Sequence, residues 1–410
     1  MPFQTRSSRR TSARTSSNRN RYASFGGASR GGARGNSRRG PKKDYIHPSR
    51  FVKAAKPVEE AAYDAQHSFD DFVVHDLIKG NIAAKGYTTP SPIQDQAIPL
   101  GLEGRDVIGI ANTGTGKTVA FAIPVLDRLI NDPLARALII APTRELAQQI
   151  EAEFKSVGRK SGLYGALLIG GSAMGPQLRD LRSNPQVVIG TPGRIMDHMQ
   201  RGSLDLSDFN MAVLDEVDRM LDMGFVNDVR AILGELQQDR QSFFFSATLD
   251  GKVRDLIATF SNDPATVSVK TGNTSDNVHQ DIVCYERVGD KLDQLHNVLI
   301  KDEVAKAIIF DDTQRSVERL SEELIARGFK ADAIHGGKTQ GQRQRALARF
   351  KKNDIKILVA TDVAARGIDV ADITHVINFS TPQSYEDYVH RIGRAGRAGR
   401  VGYALTFVTE

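Results

Sequence analysis

Three stretches of this chain hold residue types at spacings that could do chemistry on a polyphosphate. The first is Ala111-Asn112-Thr113-Gly114-Thr115-Gly116-Lys117-Thr118, between the apolar run Val107-Ile108-Gly109-Ile110 and the helix-like stretch Val119-Ala120-Phe121-Ala122-Ile123. In a strand–turn–helix context, the glycines let the backbone close round phosphates, and N–H groups at a helix start face their charge. Lys117 would reach the β- and γ-phosphates of a nucleotide, and the Thr118 hydroxyl would hold Mg²⁺. Ala111 stands where the usual pattern has glycine. The plain alternative is a glycine-rich turn that happens to carry a lysine. The second stretch, Asp215-Glu216-Val217-Asp218, ends the apolar run Met211-Ala212-Val213-Leu214. Carboxylates at the carboxyl end of a parallel strand sit where α/β sheets bind ligands. Asp215 would help hold Mg²⁺, and Glu216 would orient and deprotonate a water; the alternative is a solvated acidic turn. The third is His390-Arg391-Ile392-Gly393-Arg394-Ala395-Gly396-Arg397. Arginines three residues apart on one helix face could point two guanidinium groups at one phosphoryl group in transfer. A surface basic patch is the competing reading, and the glycines weaken it.

The elements that must position these groups alternate between apolar strand-like runs and helical stretches. The strand candidates are 107–110, 137–141, 166–169, 187–190, 211–214 and 242–245, and then 282–285, 307–310, 331–334, 357–360, 375–378 and 404–407. Such alternation predicts an α/β fold of two parallel-sheet domains wrapped by helices. Phe72, Val73, Leu77, Ile78 and Ile82 predict a helix ending near Gly86. The polar stretch around Thr271–Asn277 reads as a linker. The expected organisation is a basic tail over 1–66, a first domain over 67–271, a linker over 272–279 and a second domain over 280–410. Within the first domain, 67–95 would read the base and 98–270 would bind the nucleotide. With one phosphate loop and two lobes, the nucleotide is expected between them.

Charge is divided along the chain. Residues 1–50 carry thirteen Lys/Arg and one Asp, whereas the other 360 residues carry 42 basic and 48 acidic side chains. The tail is rich in Arg, Ser, Gly and Asn, with too few apolar residues to offset ordering entropy, so disorder is expected. It reads as an Arg/Gly-rich RNA-binding arm, a solubilising tail, or an organelle transit peptide lacking an amphipathic face. Cys284 is the only cysteine, which excludes a disulfide framework and points to a reducing compartment. Its setting suggests a small apolar strand residue. No run of 18 apolar residues occurs, so no membrane span is expected.

With these motifs in place, the chain resembles the DEAD-box ATP-dependent RNA helicases, built from two RecA-like domains. The likeness covers about residues 67–410, with Val217 where the family's name-giving box has alanine. The resemblance implies that Phe69 and Gly86–Gln94 read adenine, with Phe69 stacking on the base and the Gln94 amide on its edge; Phe69 could instead be a helix staple. It implies that Ser246-Ala247-Thr248 couples hydrolysis to RNA with Asp218 as hydrogen-bond partner. It makes Asp369 a ribose contact and Arg394 and Arg397 arginine fingers, with His390 bridging to the first domain. Pro142, Thr143, Arg144, Gly170, Gly171, Thr191 and Arg194 would face RNA from the first domain. Thr313, Gln340 to Arg343 and Thr361 would do so from the second. Such backbone and 2′-hydroxyl contacts carry no sequence information.

The expected function is therefore an ATP-dependent RNA helicase, using ATP and Mg²⁺ to separate short duplexes or remodel RNA–protein complexes. RNA is the expected partner, protein activators are conceivable, and the core should be monomeric and cytoplasmic. The rivals are an ATP-gated RNA clamp or annealing chaperone, and a DNA helicase or translocase. The last expected strand closes the chain, with no targeting module after it.

Overall fold

A computed structural model describes residues 45–55, 63–112, 114–269, 276–365, 368, 370, 372–396 and 400–409. Its strands are short, and most are apolar on both faces, which suits parallel sheets covered by helices on each side. The first sheet holds β1 (Val107–Ile110), β2 (Ala137–Ile140), β3 (Gly165–Leu168), β4 (Val187–Gly190), β5 (Met211–Asp215), β6 (Gln241–Ser246) and β7 (Ala265–Ser268), in the order β3-β4-β2-β5-β6-β1-β7. The second holds β8 (Val278–Tyr285), β9 (Ala307–Phe310), β10 (Ala331–Ile334), β11 (Ile357–Ala360), β12 (His375–Asn378) and β13 (Gly402–Thr409), in the order β10-β11-β9-β12-β13-β8. Alternation assigns side chains to opposite layers. Phe243 and Phe245 enter one core of the first lobe, and Phe244 enters the other. Because β5, β6 and β1 are neighbours, residues 215–218, 246–248 and 111–118 emerge side by side at their carboxyl ends.

Several expectations are corrected. β7 is absent from the expected strands: Ala-Thr-Val-Ser is no apolar run, because an edge strand buries only part of itself. The second sheet begins at Val278, which pairs with Gly402, so the 272–279 linker is too long at its end. The first described helix starts at Asp76, not near Phe72, capped by His75. Phe72 is buried ahead of it, whereas Val73 is 88% exposed. Cys284 lies on a strand as expected, but exposed, because β8 is an edge. The boundary of the tail at 66 also fails. Residues 48–51 form a single 3₁₀ turn, and Ile46 and Phe51 join the core of the second lobe. Two apolar residues cannot make a core, but they can complete one. Residues 1–44 lie outside the described residues. No helix among the described residues is long and apolar enough to cross a membrane.

Gly109 in β1 is fixed by packing. A Cβ there would run into the ring of Phe245 on the neighbouring β6, which itself packs on Phe121 with ring centroids 5.4 Å apart. Gly109→Ala should overpack this layer at a cost of about 1–3 kcal/mol. In a domain of this size, each kcal/mol lowers the midpoint by about 2–4 °C. Calorimetry checks this, and an unchanged first-lobe transition would mean that Phe245 simply swings aside.

Candidate active site

The loop after β1 is built from backbone first. Ala111 N donates to Ser246 O at 3.0 Å, which ties the loop to β6. The helix Lys117–Asn131 starts after Gly116, whose φ of 94° is open to glycine and costly to other residues. Lys117 is buried, with Nζ donating to Ala111 O at 3.0 Å and lying 3.9 Å from Asp215 Oδ1. Thr118 occupies the first turn of the same helix. Thr115 Oγ1 donates to Asn112 O at 2.8 Å. Gly114 has φ of 87°, and Thr113 lies outside the described residues.

The expected base-reading residues brace this loop. Ser91 Oγ donates to Thr115 O at 2.7 Å, and Gln94 Nε2 donates to Gly116 O at 3.1 Å. Gln94 Oε1 accepts from Ser91 N at 2.9 Å. Phe69 is buried, stacked on Tyr87 at 6.3 Å and edge-on to Phe72 at 6.0 Å.

The carboxylates occupy different environments. Asp215 is fully buried, and that burial pushes its carboxyl up to about 6 despite the Lys117 ammonium nearby. Glu216 has φ 55° and ψ 54°, a left-handed conformation for a non-glycine residue. Such strain costs on the order of 1–3 kcal/mol and clusters at functional sites. Its Oε2 lies 3.3 Å from Arg219 Nη1. Asp218 Oδ2 accepts from Ala247 N at 3.0 Å, Thr248 N at 3.0 Å and Thr248 Oγ1 at 3.2 Å, while Asp218 N donates to Ser246 Oγ at 3.3 Å. This one carboxylate joins the ends of β5 and β6.

Arg391 and Arg394 do not share one helix face. The helix Tyr385–Ile392 is capped by Gly393, so only Arg391 lies on it. Arg391 is buried and bonds Asp362 through Nε and Nη2, each at 2.6 Å, a structural pair. Arg394 follows the helix and is buried, with Nη1 donating to Ile368 O at 2.9 Å. Arg394, His390, Arg391 and Asp387 line one small cavity together with Arg219 of the first lobe. Burial, then the first-lobe carboxylates Asp222 and Asp218, push Glu386 up as well. Asp369 and Arg397 lie outside the described residues.

The residues expected to face RNA divide into two groups. Pro142, Thr143, Arg144, Gly170, Thr191 and Arg194 line one cleft of the first lobe, and Arg343 and Gly336 of the second lobe join it. Gly171, with φ of 75°, has the Arg144 guanidinium where a Cβ would be. Arg194 Nη1 donates to Ser172 O at 3.3 Å. Thr143 caps the helix Arg144–Val157. Arg343 is buried and pairs across the lobes with Glu145 at 2.7 Å, and Gln340 Nε2 donates to Gln148 Oε1 at 3.3 Å. Thr313 and Thr361 do not line that cleft. Thr313 caps the helix Gln314–Ala326, and Thr361 O accepts from Ala364 N and Ala365 N. Sequence reasoning missed Arg219, whose one signal was its three-residue spacing from Glu216 into a helix. Ser91 lay inside the expected base-reading segment, where Ser91-Pro92-Ile93-Gln94 also spells a capping box.

Residues 91–256 match the DEAD/DEAH box helicase family, and residues 290–399 match the helicase conserved C-terminal domain. The chain is similar to the DEAD-box ATP-dependent RNA helicase CshA of Bacillus subtilis, 43% identical over 344 residues, which is 83% of this chain and 69% of that protein. It is 45% identical to the ATP-dependent RNA helicase DeaD of Mycobacterium tuberculosis, across 83% of this chain and 61% of that protein. The solved structure of S. cerevisiae Dbp5 bound to RNA and ADP BeF3 aligns over 84% of this chain and 90% of its own, at 31% identity and a TM-score of 0.73.

Proposed function

The chain belongs to the DEAD-box ATP-dependent RNA helicases, and from that premise we propose how its own residues divide the work of an RNA-dependent ATP hydrolase. Asp215-Glu216-Val217-Asp218 serves as the family's box. Lys117 binds the β- and γ-phosphates, within the backbone cradle of Ala111 to Thr118. Glu216 orients and deprotonates the attacking water, and Arg394 with Arg397 stabilises the charge of the transferring phosphoryl group. Asp218, Ser246 and Thr248 couple this site to RNA, His390 bridges the lobes and Asp369 contacts the ribose. The observation that supports this division is the shared cavity: Arg219, beside Glu216, and Arg394 of the other lobe line the same space.

Mg²⁺ suits the oxygens of Thr118 and Asp215. Among the described residues no group of three His, Cys, Asp or Glu side chains could hold a metal alone. Mg²⁺ is a hard cation that would arrive with the phosphates and keep several waters. It would neutralise phosphate charge, while the protein's own groups position the water and the γ-phosphate.

RNA is the substrate, held through Pro142, Thr143, Arg144, Gly171, Thr191 and Arg194 and, in the second lobe, Thr313, Arg343 and Thr361. A lone cysteine and an RNA substrate fit a reducing, cytoplasmic setting, where the chain would act as a monomer open to protein activators. The test pairs RNA-stimulated ATPase activity with a gel assay on a labelled short duplex and on its separated strands. ATP-dependent strand separation is the expected result. Annealing without separation would favour the clamp.

Gln94→Glu removes the amide donor and leaves only acceptors. The carboxylate would then face the Gly116 carbonyl that now accepts from Nε2. The ATP-to-GTP ratio in turnover should fall towards one, and KM for ATP should rise. An unchanged ratio would move base selectivity to other residues.

A further inference from the structure

The segment just before the first lobe is fastened at both ends, to different lobes. At its start it belongs to the second lobe. Phe51 is fully buried, its ring centroid 4.7 Å from that of Tyr388. The Arg50 guanidinium lies 3.7 Å over the ring of Tyr385. Lys53 and Gln280 exchange two backbone hydrogen bonds, of 2.9 and 2.8 Å, adding a short antiparallel bridge to the free edge of β8. Lys53 Nζ also pairs with Asp276 at 2.6 Å, and Gln280 Oε1 accepts from Tyr388 Oη at 3.0 Å. At its end the segment belongs to the first lobe. Asp95, only 2% exposed, accepts from Tyr63 Oη at 2.6 Å, Gln66 N at 2.9 Å, His67 N at 3.1 Å and His67 Nδ1 at 2.7 Å. A buried carboxylate satisfied by four donors from one segment is an anchor.

We propose that residues 45–55, on the second lobe, and 63–67, on the first, are the two anchors of an interlobe strap, in which Phe51 and Asp95 are positioning residues that hold the two lobes within reach of closure. The anchors touch the machinery from outside. Tyr385 and Tyr388 lie on the helix that carries His390 and Arg391, and Asp95 adjoins Gln94. Ala55 and Tyr63 are eight residues apart, so the chain between them reaches at most about 29 Å. With the linker before β8, the lobes are joined twice. A second short tether raises the effective concentration of one lobe at the other and narrows the open ensemble. RNA then has less closing entropy to overcome.

The test uses the full chain, with Phe51→Ala, Asp95→Asn and the two combined. Each single change should raise the KM for RNA in the ATPase assay by at least about threefold, with kcat within twofold, as expected of lost tethering and intact chemistry. The double change should do less than the product of the two singles, because both loosen the same tether. Phe51→Leu should restore the wild-type value. Fluorescence energy transfer between dyes on the two lobes, without substrate, should show a wider spread of distances in each single variant. If Phe51→Ala does not fold, an insertion of about twenty Gly/Ser residues after Ala55 keeps both anchors and lengthens the tether, and should widen the spread and raise KM in the same way. Multiplying effects in the double variant, or an unchanged spread of distances, would overturn the strap and leave two independent packing contacts. The kinetic arm rests on the helicase reading, whereas the distance measurement needs no activity, so the two can fail separately.

Discussion

Arg394→Ala should leave ATP bound and nearly abolish its hydrolysis. ATP would be held by the first lobe, through Lys117 and the loop from Ala111 to Thr118. The arginine belongs instead to the second lobe and reaches the cavity it shares with Arg219. Arginine fingers in related phosphoryl transfers are worth roughly 10³–10⁵ in turnover, or about 4–7 kcal/mol of transition-state stabilisation. The substitution also removes the donor to the Ile368 carbonyl, which costs stability on the order of 1–3 kcal/mol, so the assay belongs well below the melting midpoint. Single-turnover hydrolysis at saturating RNA, paired with the affinity for a fluorescent ATP analogue, separates the two effects. Lost affinity at normal turnover would make Arg394 a ground-state binder and would remove lobe closure from the catalytic step. Arg391→Ala tests a different role. Its guanidinium is spent on Asp362, Asn378 and the Ser380 carbonyl, so the second lobe should lose stability as well as activity.

Glu216→Gln is the second large effect. Gln keeps the shape of the side chain but cannot take a proton from water, and general-base catalysis contributes about 10²–10⁴. Turnover should fall at least about a hundredfold, with ATP and RNA affinities near those of the unmodified protein. The left-handed backbone at position 216 is not relieved by the substitution, since Gln has the same Cβ, so the loop should keep its geometry. Arg219 loses its charged neighbour at 3.3 Å. Turnover within about threefold of the unmodified protein would take Glu216 out of the base role, because general-base catalysis typically contributes at least about a hundredfold.

The features legible in the amino-acid sequence are those set by neighbours along the chain. The central strands announce themselves as apolar runs, because a strand buried on both faces needs little beyond its own residue types. The glycine-rich loop and the acidic cluster are legible for the same reason: each is one short segment at a strand end. β7 escapes because only Val267 of its four residues is buried, which leaves no apolar run to read.

Tertiary structure decided everything that depends on which segments meet. Arg391, Arg394 and Arg397 share a spacing in sequence, yet Arg391 is withdrawn into a buried pair with Asp362, twenty-nine residues away along the chain. Spacing cannot show which of these arginines is withdrawn into a buried pair when the helix ends between them. Arg343 has the composition of an RNA contact but spans the lobes to Glu145, because two carboxyl-end surfaces face each other. Phe51, in a stretch whose composition reads as unstructured, is buried because the second lobe has a place for one more ring. Local sequence determines which elements form and which chemistry each can hold, whereas burial and pairing between distant segments determine which of those groups are left to use it.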